Sequence, residues 1–246
     1  MSVEECFWQI HANLDRQAPG SDETTSKLLA VASQDDQLHR ALDVGCGPGR
    51  AALFLASSGL DVTAVDTHEP FLDELRQHAG ATGLLPRLTI ENVSMEHLPY
   101  PEASFDLIWA EGTTYIIGWQ RALTEWKKLL SPAGKLVATD CHWFTDNRSA
   151  EAVAFWEDAY PGMPTIGQSI ELAQGAGYNV THTYLLPDSD WAEYYDPLEK
   201  KHEALMHETD ADMREALKLS RAEVDIRRAY GDEYGYVGFV LSPVAE

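Results

Sequence analysis

Cysteine is scarce: Cys6, Cys46 and Cys141 are the only three in 246 residues. They are too few and too scattered for a disulfide framework or a cysteine-based zinc site, so a reducing compartment is expected. Basic residues are scarce as well, with 18 Lys and Arg against 40 Asp and Glu and a formal net charge of −22 at pH 7. A nucleic-acid backbone or an anionic membrane surface needs clustered Lys and Arg, so neither is expected as a partner and small molecules are favoured. The acidity itself reads as a solubility device. No apolar stretch approaches the roughly 20 residues of a membrane helix. The N-terminus places Glu4 and Glu5 ahead of any apolar run, unlike a signal peptide. A soluble, cytoplasmic protein is the expectation. Histidines do not pair with carboxylates in a spacing such as His-Glu-x-x-His, so no metal is expected, and His202 and His207 read as a solvated helix surface.

What the chain does have is enough apolar content, 44%, for one core, and a single domain over residues 1–246 is expected. The element that organises it is Ala41 to Arg50. Ala41, Leu42 and Val44 read as a strand, Gly45-Cys46-Gly47-Pro48-Gly49 as a tight turn, and Ala51 to Ser58 as the helix that leaves it. Glycines belong where the backbone takes positive φ or lies against a ligand, and the helix that follows offers free N–H groups to an anion. The dinucleotide fingerprint requires a third glycine where this chain has Arg50. Asp66, followed by Thr67, ends the next strand, where nucleoside-binding folds keep a carboxylate for ribose hydroxyls.

The pattern Asp43-x-Gly45-x-Gly47-x-Gly49 resembles the first motif of the class I S-adenosylmethionine-dependent methyltransferases. A second stretch, Leu98-Pro99 to Phe105-Asp106-Leu107-Ile108, resembles the family's segment leading into the fourth strand. A third, Thr124 to Asp140, resembles the helix, turn and strand before its substrate-side loop. The resemblance covers about Ala41 to Asp140. It implies an α/β, Rossmann-like, mostly parallel seven-stranded sheet with helices on both faces and an antiparallel last strand. It also implies S-adenosylmethionine as cofactor, held by Asp43, Gly45, Gly47, Gly49, Asp66, Thr67, Ser94, Met95 and Glu111. Ser94 stands where many relatives carry an acidic residue for the adenine amino group; it can still accept a hydrogen bond, and Met95 can cover the ring face. The Asn-Pro-Pro-Tyr type of signature is missing after strand four, which reads Ala110-Glu111-Gly112-Thr113 and lowers the odds of a nucleic-acid or glutamine substrate.

Around this core, residues 1–36 read as an N-terminal helical lid, with Phe7, Ile10, His11 and Leu14 at helical spacing and Ser21 as an N-cap; Arg16 and Ser21 are candidate cofactor contacts. Residues 37–140 form the cofactor-binding core, with strands near Leu88 to Asn92, Phe105 to Ala110 and Lys135 to Thr139, a helix from Thr114 to Leu130, and a βαβ period throughout. Residues 141–246 form the substrate side, with helices from Ala150 and Ile166, strands near Tyr178 to Leu186 and Tyr236 to Leu241, and a helical insertion at about 188–232. That insertion reads equally as a substrate lid over the sheet's edge and as a packing or homodimer element.

Ligands of open parallel sheets bind outside the carboxyl ends of the strands. His142, Glu111 and Tyr115 are therefore the candidate catalytic residues, His142 as base and Glu111 as its orienter or as a hold on an acceptor amine. Tyr115, Trp143, Trp191, Tyr194, Tyr195, Tyr234 and Tyr236 are candidates for an aromatic wall around an apolar or cationic acceptor, with Trp143, Trp191, Tyr195 and Tyr234 taken as its substrate-binding members. Cys46 reads as a small side chain packed under the turn rather than a nucleophile. The expected function is methyl transfer to a small-molecule N, O, S or C nucleophile. The alternatives are a non-catalytic S-adenosylmethionine-binding regulatory module and an NAD-dependent oxidoreductase.

Overall fold

In the computed structural model, which describes residues 1–34 and 38–244, every strand segment read from the sequence joins one sheet. The strands are β1 (Arg40–Val44), β2 (Asp61–Asp66), β3 (Leu88–Asn92), β4 (Phe105–Glu111), β5 (Leu130–Trp143), β6 (Tyr178–Leu185) and β7 (Tyr234–Pro243). Their order is β3-β2-β1-β4-β5-β7-β6, with β7 antiparallel to both neighbours and the other named pairings parallel. The helices are α1 (Val3–His11), α2 (Asp22–Ala32), α3 (Arg50–Ser57), α4 (Glu69–Thr82), α5 (Trp119–Lys127), α6 (Ala150–Ala159), α7 (Ile166–Gly175), α8 (Asp188–Leu205) and α9 (Ala211–Tyr230). The boundary expected between residues 36 and 37 lies outside the described residues.

Two apolar layers sandwich the sheet. On one face Leu28, Leu55, Leu72 and Leu75 of α2, α3 and α4 pack on Ala41, Leu107, Trp109 and Val137. On the other, Trp119, Leu123 and Trp126 of α5 pack with Ala173 of α7 on Ile108, Ala138 and Phe239. A third cluster is the roof. Ile10 of α1, Trp156 of α6, Trp191 and Leu198 of α8 and Leu217 of α9 bury one another together with Cys141 and Trp143, which come from the end of β5. The insertion thus packs on α1 and α6 above the strand ends, not over the sheet's edge. This burial also corrects the reading of His202, which is 3% exposed with Nε2 2.8 Å from Ser220 Oγ, while His207 stays exposed past the end of α8.

Three local departures have physical causes. The βαβ alternation fails between β3 and β4, where residues 93–104 form no helix, in keeping with the loop that Leu98-Pro99-Tyr100-Pro101 reads as in sequence. The helix expected from Thr114 begins only at Trp119, because Gly118 adopts φ 85° and leaves a single 3-10 turn at Thr114–Ile116 before it. Strand β5 runs four residues further than expected, to Trp143, because β7 supplies an antiparallel ladder up to the pair Trp143–Tyr234.

Candidate functional site

The glycine turn closes on β2: the N–H groups of Gly45 and Cys46 both donate to Val65 O at 2.9 Å. Asp66 then clasps the turn, one carboxylate oxygen accepting Gly47 N–H at 2.9 Å and the other His68 N–H at 2.8 Å. Gly45, Gly47 and Gly49 all take positive φ, yet they serve different ends. A Cβ on Gly45 would lie 2.6 Å from Thr113 Cγ2, and one on Gly49 2.2 Å from Leu75 Cδ1, so both are close-packing positions. A Cβ on Gly47 would meet only Gln17 Cγ at 3.7 Å, so the open side of the turn is there. Asp43 sits beneath it, 2% exposed, with Oδ2 lacking any hydrogen-bond partner among the described residues. Burial, then the nearby Glu111 and Asp66, hold its carboxyl well above the ordinary range. A buried orphan acceptor beside an open glycine turn suits a ligand bearing a cationic donor.

These groups line one cavity of about 680 Å³ at the carboxyl ends of β1, β2, β4 and β5. Asp43, Gly45, Gly47, Asp66, Thr67, Ser94, Met95, Glu111 and Tyr115 all line it; Gly49 does not. Cys46 lines it too, with burial pushing its thiol up and away from the nucleophilic thiolate. Glu111, which faces the cavity, is held by three donors. Its carboxylate accepts from Arg16 at 3.1 Å, from Thr25 Oγ1 at 2.9 Å and from Trp109 Nε1 at 2.9 Å. Arg16, 7% exposed, also meets Asp22 at 3.1 Å and Glu193 at 3.7 Å. The N-terminal segment is therefore tied to β4 and α8, and Ser21 acts as the N-cap of α2, accepting Thr24 N–H at 3.1 Å.

The structure separates His142 from the cavity. Alternation along the lengthened β5 turns it to the face carrying Ala138, where it lies fully buried beside Phe239 and Trp119. Nδ1 is 2.9 Å from Asp140 O and Nε2 2.8 Å from Ser169 Oγ, and burial lowers its pKa to about 4. A neutral ring with both nitrogens engaged, away from the cavity, has no access to a substrate proton. Nor is Glu111 its orienter. Trp143, Trp191, Tyr195 and Tyr234 likewise stand behind the wall: Tyr234 packs against Trp143, Trp156 and Trp191, and Arg227 covers Trp191 at 4.2 Å.

The wall itself is made by Tyr160, Tyr194, Tyr236, Phe155 and Trp156, together with Asp140, Glu223 and His11. Asp140 is buried and accepts from Cys141 N–H at 2.8 Å, from Tyr160 Oη at 3.3 Å and from Thr114 Oγ1; desolvation lifts its pKa to about 6. Glu223, on α9, accepts from Tyr195 Oη at 3.0 Å, and desolvation lifts it to about 7. His11 stacks on Phe7 at 4.2 Å and has burial holding its pKa at about 4. None of Glu223, Tyr160 and His11 stood out in sequence as a site residue.

Comparison with known proteins supplies an independent view. Residues 42–138 match the family described as "Methyltransferase domain". The chain is 30% identical over 144 residues to "Methyltransferase GfsG" of Streptomyces halstedii, covering 56% of this chain and 50% of that protein. It thus spans about half the length of the curated relatives it matches first. Among solved structures, an S-adenosylmethionine-dependent methyltransferase from Geobacter sulfurreducens in complex with S-adenosyl-L-homocysteine superposes with a TM-score of 0.82 at 18% identity, covering 98% of this chain and 99% of that one. The [4+2]-cyclase SpnF superposes with a TM-score of 0.78 at 21% identity, over 98% of this chain and 93% of that one. At such identities the structural likeness speaks for the fold alone.

Proposed function

We propose that this chain, whose residues 42–138 match the family described as "Methyltransferase domain", is a class I S-adenosylmethionine-dependent methyltransferase, one catalytic domain that transfers a methyl group from S-adenosylmethionine to a small-molecule nucleophile. The observation that carries the reading is one continuous cavity of about 680 Å³ joining the open glycine turn and the orphaned Asp43 Oδ2 to an aromatic acceptor end. When bound, the cofactor supplies an electrophilic methyl on a positively charged sulfur. Asp66 retains lone pairs for ribose hydroxyls, Asp43 for the amino group, and Ser94 and Met95 flank the adenine position. Because positive charge is dispersed in the displacement, the chain's main tasks are alignment and exclusion of water. The roof helices and the Arg16–Glu111 clamp perform the exclusion. Tyr115 stands at the cavity as a candidate contact to the acceptor, and Glu111 acts through the clamp.

A small acceptor, rather than a nucleic acid, agrees with the charge: the two arginines lining the cavity are already engaged by carboxylates. Release of S-adenosylhomocysteine by the full chain, measured against amines, phenols, thiols and carboxylic acids with a no-acceptor blank, tests the reading. Calorimetric binding of S-adenosylhomocysteine without any turnover would favour the regulatory alternative, or a non-methylating reaction of the kind named for SpnF. Binding of NAD in its place would favour the oxidoreductase.

A further inference from the structure

The acceptor end of the cavity is chemically one-sided. Asp140 and Glu223 both act electrostatically on Tyr115, Cys141 and Tyr236, so they share one neighbourhood. Among the described residues neither carboxylate has a cation within ion-pair distance. Asp140 is occupied by three donors, whereas Glu223 takes one hydrogen bond, from Tyr195. His11 adds a second and separate sign of a ligand. Gln17 Nε2 donates to His11 O at 3.0 Å, leaving its oxygen to accept from His11 Nδ1 at 2.9 Å. The ring therefore keeps Nε2 as a lone-pair acceptor; His11 is 4% exposed and lines the cavity, and its buried Nε2 has no partner among the described residues. Arg16 and Arg50, the arginines of the cavity, are held by Asp22, Glu111 and Glu193. The acceptor end, lined by Asp140, Glu223 and His11 with no lysine or arginine of its own among the described residues, suits an occupant that brings donors and positive charge rather than a carboxylate or phosphate.

Resting on the methyltransferase reading, we propose that the acceptor is an amine, protonated in solution and free of carboxylate and phosphate groups, whose ammonium is held by Glu223 with Tyr115, Tyr194 and Tyr236 around it. Ring faces attract an ammonium once it leaves water, adding to the ion pair. Burial that raises Glu223 to about 7 also fits it to take a proton from the bound cation. The ammonium gives one proton to Glu223, which frees the nitrogen lone pair. The N–C bond then forms as the C–S bond breaks with its electron pair on sulfur, and the product amine regains a positive charge. Glu223 returns its proton to solvent before the next turnover.

The test uses the full chain saturated with S-adenosylhomocysteine, whose own binding is first measured by calorimetry; failure there would overturn the methyltransferase reading itself. Three matched probes follow: 2-phenylethylamine, 2-phenylethanol and phenylalanine, extended by a series of larger primary arylalkylamines. Amines of the series are expected to bind, their alcohol and amino-acid counterparts at least about tenfold more weakly. Glu223→Gln should weaken amine binding by about tenfold or more while S-adenosylhomocysteine affinity, which also reports that the variant folds, stays within about twofold. Preference for an alcohol or a carboxylate-bearing probe, full amine affinity in Glu223→Gln, or no binding by any amine in the series while S-adenosylhomocysteine is bound would each overturn the proposal.

Discussion

Replacing Asp66 with alanine probes the part of the site where structure and chemistry are most tightly joined. Its carboxylate accepts Gly47 N–H at 2.9 Å and His68 N–H at 2.8 Å, so it fixes the glycine turn before any ligand arrives. Hydrogen bonds to a charged acceptor are worth roughly 1.5–3 kcal/mol when buried. Asp66 is half-buried and water can replace part of each bond, so a combined stability loss of about 1–3 kcal/mol is expected. The proposed ribose contacts are a further loss that appears only in binding, about 1–3 kcal/mol, or roughly 5- to 150-fold in Kd. Calorimetric titration with S-adenosylhomocysteine, run at a temperature where circular dichroism shows the variant fully folded, separates the two. An Asp66→Ala protein that is destabilised yet binds within about twofold of the parent would show that Asp66 only staples the turn, refuting its cofactor role.

Three other outcomes follow from the same geometry. His142→Ala should cost about 2–4 kcal/mol in urea unfolding, through a lost buried hydrogen-bonded ring and a cavity, with S-adenosylhomocysteine affinity unchanged. Because burial holds His142 at about 4 against an ordinary 6.5, the parent loses stability as pH falls through that window, and the variant should lose less. Glu223→Gln should be more stable than the parent at pH 8, since the folded protein resists ionisation up to about 7 while the unfolded chain ionises near 4.5; the advantage should vanish by pH 4. Equal melting temperatures at pH 8 would contradict the burial argument. Gly49→Ala meets Leu75 Cδ1 at 2.2 Å at φ 90° and should cost several times more than Gly83→Ala, where φ is 72° and no atom of the described residues lies within 4 Å. The latter should cost about 1–2 kcal/mol, the left-handed penalty alone.

Much of the cofactor half was legible because it is local. The turn from Gly45 to Gly49, Asp43 before it and Asp66 at the end of the next strand are set by backbone conformation and by a register that sequence spacing carries directly. The acceptor half was not. In sequence, Lys135 to Thr139 reads as a whole strand, which leaves His142 in a loop; the antiparallel partner β7 extends β5 and turns its side chain away. Trp143, Trp191, Tyr195 and Tyr234 were correctly aromatic and wrongly ranked, since composition cannot separate a cavity wall from the layer behind it.

By itself, the sequence determined the order of strands and helices, the glycine turn and the two carboxylates that flank it, because these depend on short-range periodicity and on φ values that few residues tolerate. Only the tertiary structure decided that Glu223, His11 and Tyr160, drawn from α9, α1 and the end of α6, meet at one wall. Their convergence depends on three helices packing through Ile10, Trp156 and Leu217, contacts that link residues far apart in the chain and leave no spacing to read.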